Sequence, residues 1–531
     1  MQQVSQSWKD THKQTLLNES YVEVSLDIAD PDSIKDASNM GAVANGSIYI
    51  SDTPEIVKEI DTPVIPYGTL EQNIFLLDGS RKNIPKENYL DGGFVGDVLS
   101  NEECVFVDKI PTITISFSMV HTKIIPGITI TWGTAYNEYA SNFIVTAYND
   151  DTVVSKKEVI DNKSVTSIVM MDINNYNKIT IEILSWCLPN RRARIDEIFV
   201  GMNKVYTKTE LFSFNHSQVI DPISTSLPKM EIKFSIDNSD NSYNPYNLSG
   251  LAKYITERQE LKTRYGLKLN DNTIEWIKGG TFYLSEWYAK QNGISAEFVA
   301  RDILEFMSVI YKDNTIAPNL GKLAENVLSK ANLPLNDDGS VKWIIHNSLY
   351  DIENTAPLPE DTIANCLQII ANAGCCTLYP DRNGILHIEP INNKSTDYVI
   401  NSFNSYSKSE ITFSKLLKDI IVKIYQYNTD MSSSTTDKNI NFGDVGENIT
   451  IDNPLITSEE RAIAVGNWVG NYLKNRLTIK STGRADVRLD ALDIVSNEND
   501  YGTNKVRMTN IDFTFNGAFK GTGEGRVIQD E

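Results

Sequence analysis

Three groups of residues in this chain have side chains suited to recognition or chemistry. The first is Trp132, Tyr136 and Tyr139 together with Arg191 and Arg192, with Trp186 and Arg194 close by in sequence. Aromatic faces stack on sugar rings and guanidinium groups donate to hydroxyls. Trp132, Tyr136, Tyr139, Arg191 and Arg192 are therefore the candidate glycan-binding residues. The competing reading puts Trp132 and Trp186 in a core and gives the arginines to subunit contacts. The second group is Asp237-Asn238-Ser239-Asp240-Asn241-Ser242-Tyr243-Asn244, a cluster of the hard oxygen donors that calcium takes. It lacks the glycine at the sixth position and the closing glutamate of an EF-hand loop, and Asx turns call for the same residues for backbone reasons alone. The third is the five cysteines, odd in number and without paired C-x-x-C spacing; with five dispersed histidines they form no zinc pattern. Cys375-Cys376 lie where a helix passes into a strand and read as buried free thiols.

Catalytic signatures are missing from the sequence. There is no G-x-S-x-G elbow, H-E-x-x-H helix, phosphate loop or Cys–His peptidase motif. Carboxylates are plentiful, but glycoside cleavage needs two of them facing one cleft, which spacing does not establish. The expectation is a chain with no catalytic site, no cofactor and no metal. A net charge of -21 argues against an outer phosphate-binding surface, because nucleic-acid affinity comes mainly from Lys and Arg. The acidity serves solubility, and a basic lumen inside an acidic assembly stays open as an arrangement. The start, MQQVSQSWKDTHK, has no apolar signal-peptide core. The most apolar stretch, Ile110 to Trp132, is broken by His121, Lys123 and Pro126, so no membrane-spanning segment is expected. Synthesis in a cytoplasm that keeps the thiols reduced follows.

The elements that must position these groups are mostly strands. At 531 residues several cores are expected, three to five at roughly 100–200 residues per domain. Glu231 to Ile236 alternates, with Ile232, Phe234 and Ile236 on one side, the period of a half-buried strand. Tyr265–Leu269 and Ile274–Ile277 flank Asn270-Asp271-Asn272 as a hairpin. Gly279-Gly280 reads as the start of the next strand, Thr281 to Trp287, and Ile294 to Ala300 returns. Tyr21 to Ile28 also alternates and ends in an Asx turn, echoing Glu231–Asp240. That echo points to one barrel or sandwich built from both, with another domain inserted between them. Ser47-Ile48-Tyr49-Ile50 is a further candidate strand of it.

Between Leu70 and Val205, evenly spaced strand-like runs point to a β-sandwich: 106–120, 128–132, 143–148, 153–159, 167–172, 178–186 and 193–200. Ser5–Leu17 reads as a short helix or arm. Leu320, Leu323, Val327 and Leu328 share a helical face, as do Ile363, Cys366, Leu367, Ile370 and Ala371 in a helix stopped at Gly374. Residues 376–379 and 385–388 form a hairpin, with Gly384 supplying the turn. Asp430–Lys438 reads as a polar loop. Thr457-x-x-Glu460 reads as a capping box opening a helix through Lys474.

Several short pieces in fixed order carry a family resemblance: DPIS…EIKFSIDNSDNSYNP, then IKGGTFYLSEW…AEFVARDILEFM, then ANAGCCTLYPDRNGILHIEPI, then GRADVRLDALDIV…NKVRMTNIDFTFNGAFKGTGEGRVI. Together they resemble the baseplate hub or tail-tip proteins of tailed bacteriophages, over about residues 21–60 and 211–528. The family usually has Gly-Asp where this chain has Leu492-Asp493. The run ITWGTAYNEYASNFIVTAYNDDTVV…KITIEILSWCLPNRRARIDEIFVG resembles the galactose-binding-like jelly rolls.

These resemblances imply an α+β, mainly β, multidomain chain. The first part of a hub β-barrel domain would cover 1–64, an inserted jelly-roll β-sandwich 65–205 and the rest of the barrel 206–310. A small α/β domain would cover 311–400 and a C-terminal β-domain with helix 457–474 would cover 401–531. They imply a structural hub in the virion tail or baseplate that closes the tail tube. It would form a homo-oligomer, a trimer, opening a path for transient DNA passage through the lumen. Implied partners are the tail tube or distal tail protein, a central spike or tape-measure protein, other baseplate proteins and, through the jelly roll, host surface glycan. One alternative is a carbohydrate-binding adhesion module or tail-associated lysin. A second is a hexameric distal tail adaptor.

Overall fold

The computed structural model describes residues 1–14, 18–40, 42–44, 47–48, 93–290, 293–313, 315–336, 339–391, 395–428 and 432–528. Half of the chain is strand and 14% is helix, in several sheets of which none closes into a barrel. The mainly β, α+β class read from the sequence is the class found. The expected positions Tyr49-Ile50, the start of the expected sandwich at 65–92 and the loop residues 430–431 lie outside the described residues. The chain divides into two compact units. One comprises Met1–Ser25, Tyr206–Asn244 and Glu260–Glu531, and the other Leu26–Val205 with Pro245–Gln259.

The first unit is organised by one long sheet. The strand Ser20–Ala29 pairs with Gly201–Tyr206 on one side, and from it the order runs on through Glu260–Lys268, Ile274–Ala289, Ser295–Arg301, Lys229–Asp237, Leu211–Val219, Gly502–Phe515, Phe519–Ile528, Leu477–Arg484 and Glu410–Phe413. The first strand therefore lies beside the expected hairpin despite the more than two hundred residues between them. Alternation predicts the faces correctly: Ile232, Phe234 and Ile236 are all buried. Gly279 does not begin a new strand as expected. It bulges within one strand, Ile274–Ala289, opposite the Thr263/Arg264 register shift. A Cβ there would meet Thr263 Oγ1 at 2.4 Å, which explains a glycine inside a strand.

His216, fully buried on Leu211–Val219, ties the middle of this sheet together. The Gln218 amide accepts from Ala491 N through Oε1 at 2.8 Å, which orients its Nε2 toward the His216 ring at 3.3 Å. The ring nitrogen Nε2 then accepts, so Nδ1 carries the hydrogen and donates to the Tyr265 hydroxyl at 2.6 Å. Phe282 and Phe513 meet the ring edge-on. Burial, with the Arg382 charge adding to it, lowers the imidazole pKa to about 3.

Beside the sheet, helices Leu320–Ser329 and Ile363–Ala373 pack on the hairpin Thr377–Pro380/Leu386–Glu389. Gly384 has φ +75 in that turn, a conformation open to glycine. A smaller three-stranded sheet is covered by helix Glu459–Lys474 through Ala462, Val465 and Val469. That helix is capped by Ser458, whose side chain accepts from Arg461 N, not by Thr457 as the capping-box spacing predicts. The expected polar loop continues from Ser433 to Asn441 as an edge strand of this small sheet, because Ile440 packs under the helix.

The second unit is a sandwich of two five-stranded sheets. One carries Ala42–Ala44, Thr112–His121, Tyr176–Trp186, Ala140–Asn149 and Thr152–Val159; the other carries Ser47–Ile48, Phe94–Leu99, Arg192–Phe199, Ile125–Trp132 and Thr166–Ile173, so Ser47–Ile48 pairs in the sandwich and not in the barrel expected for it. Between them lies a core rich in isoleucine that includes Trp132 and Trp186. Helix Pro31–Met40, which the sequence reading missed, also belongs to this unit. Asp36 on that helix meets His121 Nε2 at 2.9 Å, joining it to the strand Thr112–His121.

Candidate functional site

In the sandwich, the five expected glycan-binding residues fall into two kinds of position. Trp132 is fully buried: its Nε1 donates to Ser167 Oγ at 2.8 Å and its ring meets Phe143 and Trp186 edge-on. It presents no face to solvent. Arg191 is buried as well, while Tyr136, Tyr139 and Arg192 are half-buried. The residue that gathers them was not singled out in the sequence. Glu138, 4% exposed, accepts from Arg191 Nε at 3.2 Å, Arg194 Nη1 at 2.6 Å and Trp186 Nε1 at 2.9 Å. The Arg194 guanidinium also lies 4.7 Å from the centre of the Tyr136 ring. Arg192 donates to Gly96 O at 3.0 Å. Glu138 stands between Tyr136 and Tyr139 in sequence but more than fifty residues before its arginines. No local pattern joins them; only the folding of the two strands does.

The Asp237–Asn244 segment is a chain of Asx turns. Asp237 accepts from Ser239 N, Asp240 from Ser242 N and Asn238 from Tyr243 N, each at 2.9 Å. These oxygens cap backbone groups, which is the turn chemistry that competes with a calcium reading. No group of three or more acidic, histidine or cysteine side chains suited to a metal occurs among the described residues. All five cysteines are free; Cys366 and Cys376 are buried, and Cys375 Sγ lies 2.6 Å from an Arg461 nitrogen. Among the described residues no helix is long and apolar enough to cross a membrane.

One exposed apolar feature of the first unit is the last strand of the long sheet. Glu410–Phe413 pairs on one side with Leu477–Lys480, and the bridge Ser405–Gly483 continues that pairing. On its other side no described strand follows. All four residues are exposed, Ile411 at 54% and Phe413 at 65%, and Phe403 and Tyr406 just before them at 89% and 64%. The strand itself contains no lysine or proline of the sort that blunts an edge. The edge strand Ser433–Asn441 differs: it carries Asp437 and Lys438 near its middle, and Lys438 pairs with Glu459. The Arg476 guanidinium lies 5.1 Å from the centre of the Phe413 ring, and Ile411 and Phe413 otherwise face solvent.

The fold is thus one of open, mainly antiparallel sheets with small helical pieces. The solved structures similar to parts of it include tail and baseplate proteins, the class that the ordered sequence pieces resemble. The tail protein from Neisseria meningitidis MC58 matches with TM-score 0.41 and 9% identity over 61% of this chain and 93% of that one. The 43 kDa tail protein of prophage MuSo2 from Shewanella oneidensis matches with TM-score 0.40 and 13% identity over 61% and 96%. Prophage tail protein gp18 from Listeria monocytogenes EGD-e matches with TM-score 0.38 and 11% identity over 60% and 91%. At these values the similarity assigns neither family nor activity to this chain. No family model and no curated protein matches it.

Proposed function

We propose that this chain is a structural baseplate hub, or tail-tip protein, of a tailed phage or phage-tail-like particle. It acts without chemistry of its own, closing the tail tube and joining it to a central spike or tape-measure protein and to the surrounding baseplate proteins. The observation that carries the proposal is the open edge Glu410–Phe413, with Ile411 and Phe413 in solvent. Pairing that edge with a neighbouring copy would extend the sheet across the subunit boundary, and a closed cyclic assembly would leave no such edge bare. The resemblance of the ordered sequence pieces to phage hubs supports the same reading and implies three copies around a lumen that passes DNA. The five-part division of the chain belongs to this proposal, with an open sheet in place of the barrel expected from 1–64 and 206–310.

The test is the mass of the assembled particle by native mass spectrometry. Three copies support the hub; six copies point to the distal tail adaptor; a monomer at all concentrations refutes both. The cluster around Glu138 we read as the structural keystone of the sandwich, its arginines committed to an internal carboxylate. Binding of the full chain on a glycan array, abolished by Tyr139→Ala or Arg192→Ala, would instead support the adhesion module.

A further inference from the structure

The first fourteen residues form an arm on the first unit, and its contacts run to residues far along the chain. Gln2 N donates to Arg488 O at 2.8 Å and Gln2 Nε2 to Asp490 at 2.9 Å. Ser5 N donates to Glu275 at 2.8 Å, and Lys9 pairs with Asp397 at 2.7 Å. Arg484 donates to the carbonyls of His12 and Gln14. The helical part, Gln6–His12, is seven residues, too short to hold its shape apart from this seat. One large apolar side chain anchors it: Trp8, 1% exposed.

The Met1 ammonium adds a tether to Asp493 at 2.7 Å, and two features work against this seat. Trp8 Nε1 and Thr11 Oγ1 are buried under the arm without a hydrogen-bond partner, so docking leaves two polar groups unpaired. The Lys9–Asp397 pair stays partly in solvent, at 29% and 50% side-chain exposure, where salt screens it. Beneath the arm is a cavity of about 510 Å³, with Gln2 and Lys9 on one side and Met230, Thr377, Tyr379 and Ala491 on the other. Of the charged groups of its floor, Arg382 donates to Asp490 at 2.5 Å and Arg488 to Asp486 at 2.9 Å, whereas Asp493 pairs with the Met1 ammonium of the arm at 2.7 Å.

We propose that residues 1–14 are a releasable strap. The arm lifts as a unit while the sheets under it stay folded, and its release widens the mouth of the cavity.

The experiment uses the full chain carrying Ala491→Cys at the cavity wall, with Thr377→Cys as a second position. Alkylation of the introduced thiol by a small reagent is followed by peptide mass spectrometry, which separates it from the five native cysteines. Adding Lys9→Glu should raise the alkylation rate about two- to fivefold, the range of an exposed ion pair. Trp8→Ala should raise it more than about a hundredfold. Raised salt should act on the parent in the direction of Lys9→Glu. Hydrogen exchange on the unsubstituted chain supplies a readout that no substitution disturbs. There the amides of residues 6–12 should exchange far faster than those of Lys229–Asp237. Equal protection of arm and strand, or alkylation rates that neither arm substitution changes, would overturn the strap.

Discussion

The sharpest consequence of the hub reading concerns Ile411 and Phe413. A phenylalanine side chain buries roughly 200 Å² when fully covered, so the 65% of Phe413 still in solvent leaves about 130 Å² to be buried. At about 25 cal/mol per Å² that is ~3 kcal/mol, and the 54% exposure of Ile411 adds ~1 kcal/mol. Covering the pair would stabilise each subunit contact by ~4 kcal/mol, close to a thousandfold in association constant. The double substitution Ile411→Ala with Phe413→Ala should therefore raise the concentration at which the assembly dissociates by two to three orders of magnitude. Replacing both by aspartate should abolish assembly, since the charges would have to be desolvated against the partner strand. Light scattering across a dilution series, with native mass spectrometry at each point, reads this directly. Both residues are in solvent in the single chain, so the melting temperature of the dissociated chain should hardly move. Val153→Asp is the control: Val153, 52% exposed on the sandwich edge strand Thr152–Val159, should leave the assembly mass unchanged. If the aspartate pair assembles at the same concentration as the parent chain, the edge is not a subunit contact and the reasoning fails.

Other outcomes follow from buried groups. His216, with its pKa lowered to about 3, binds fewer protons folded than unfolded between pH 3 and the ordinary imidazole value near 6.5, so it makes stability fall by about 1.4 kcal/mol per pH unit of acidification in that window. Asp302, its pKa raised to about 6 by burial, has the opposite sign and adds stability as pH falls from 6 toward 4. Asp302→Asn should therefore steepen the acid loss of stability between pH 6 and 4, measured by urea melts; an unchanged slope would refute the assignment. Glu138→Ala leaves two buried arginines without their shared carboxylate and should destabilise the sandwich by about 3–5 kcal/mol, seen as an early transition in calorimetry. Leu492 has φ +76 at the position where the hub family usually has glycine. Leu492→Gly should relieve about 1–2 kcal/mol of backbone strain, offset in part by the lost leucine contacts, so melting should rise or stay level rather than fall.

Much of this architecture is legible in one dimension because its signals are local. The period-2 pattern of Glu231–Ile236 fixes which side chains face the core, and the Asn270-Asp271-Asn272 turn fixes a hairpin, both without reference to any distant residue. Asp237–Asn244 could be read as turns for the same reason: each Asx side chain caps a backbone group two to five residues away. The helix Pro31–Met40 escaped because the turn signal of Asp30-Pro31 also opens helices, and its anchor on His121 lies 85 residues on.

What tertiary structure alone decided is every pairing across long separations. Sequence spacing gives no link between Glu138 and the guanidiniums of Arg191 and Arg194; the fold brings them together and buries Trp132 between the two sheets. In the same way Gln218 and Ala491 meet across 273 residues, and the arm around Trp8 finds its seat beside Arg488. Chain order supplied the periodicities and turns, since those depend on neighbours a few bonds apart. The edge at Glu410–Phe413 became visible only once the neighbouring strands had found their partners, because an edge is defined by what does not pair.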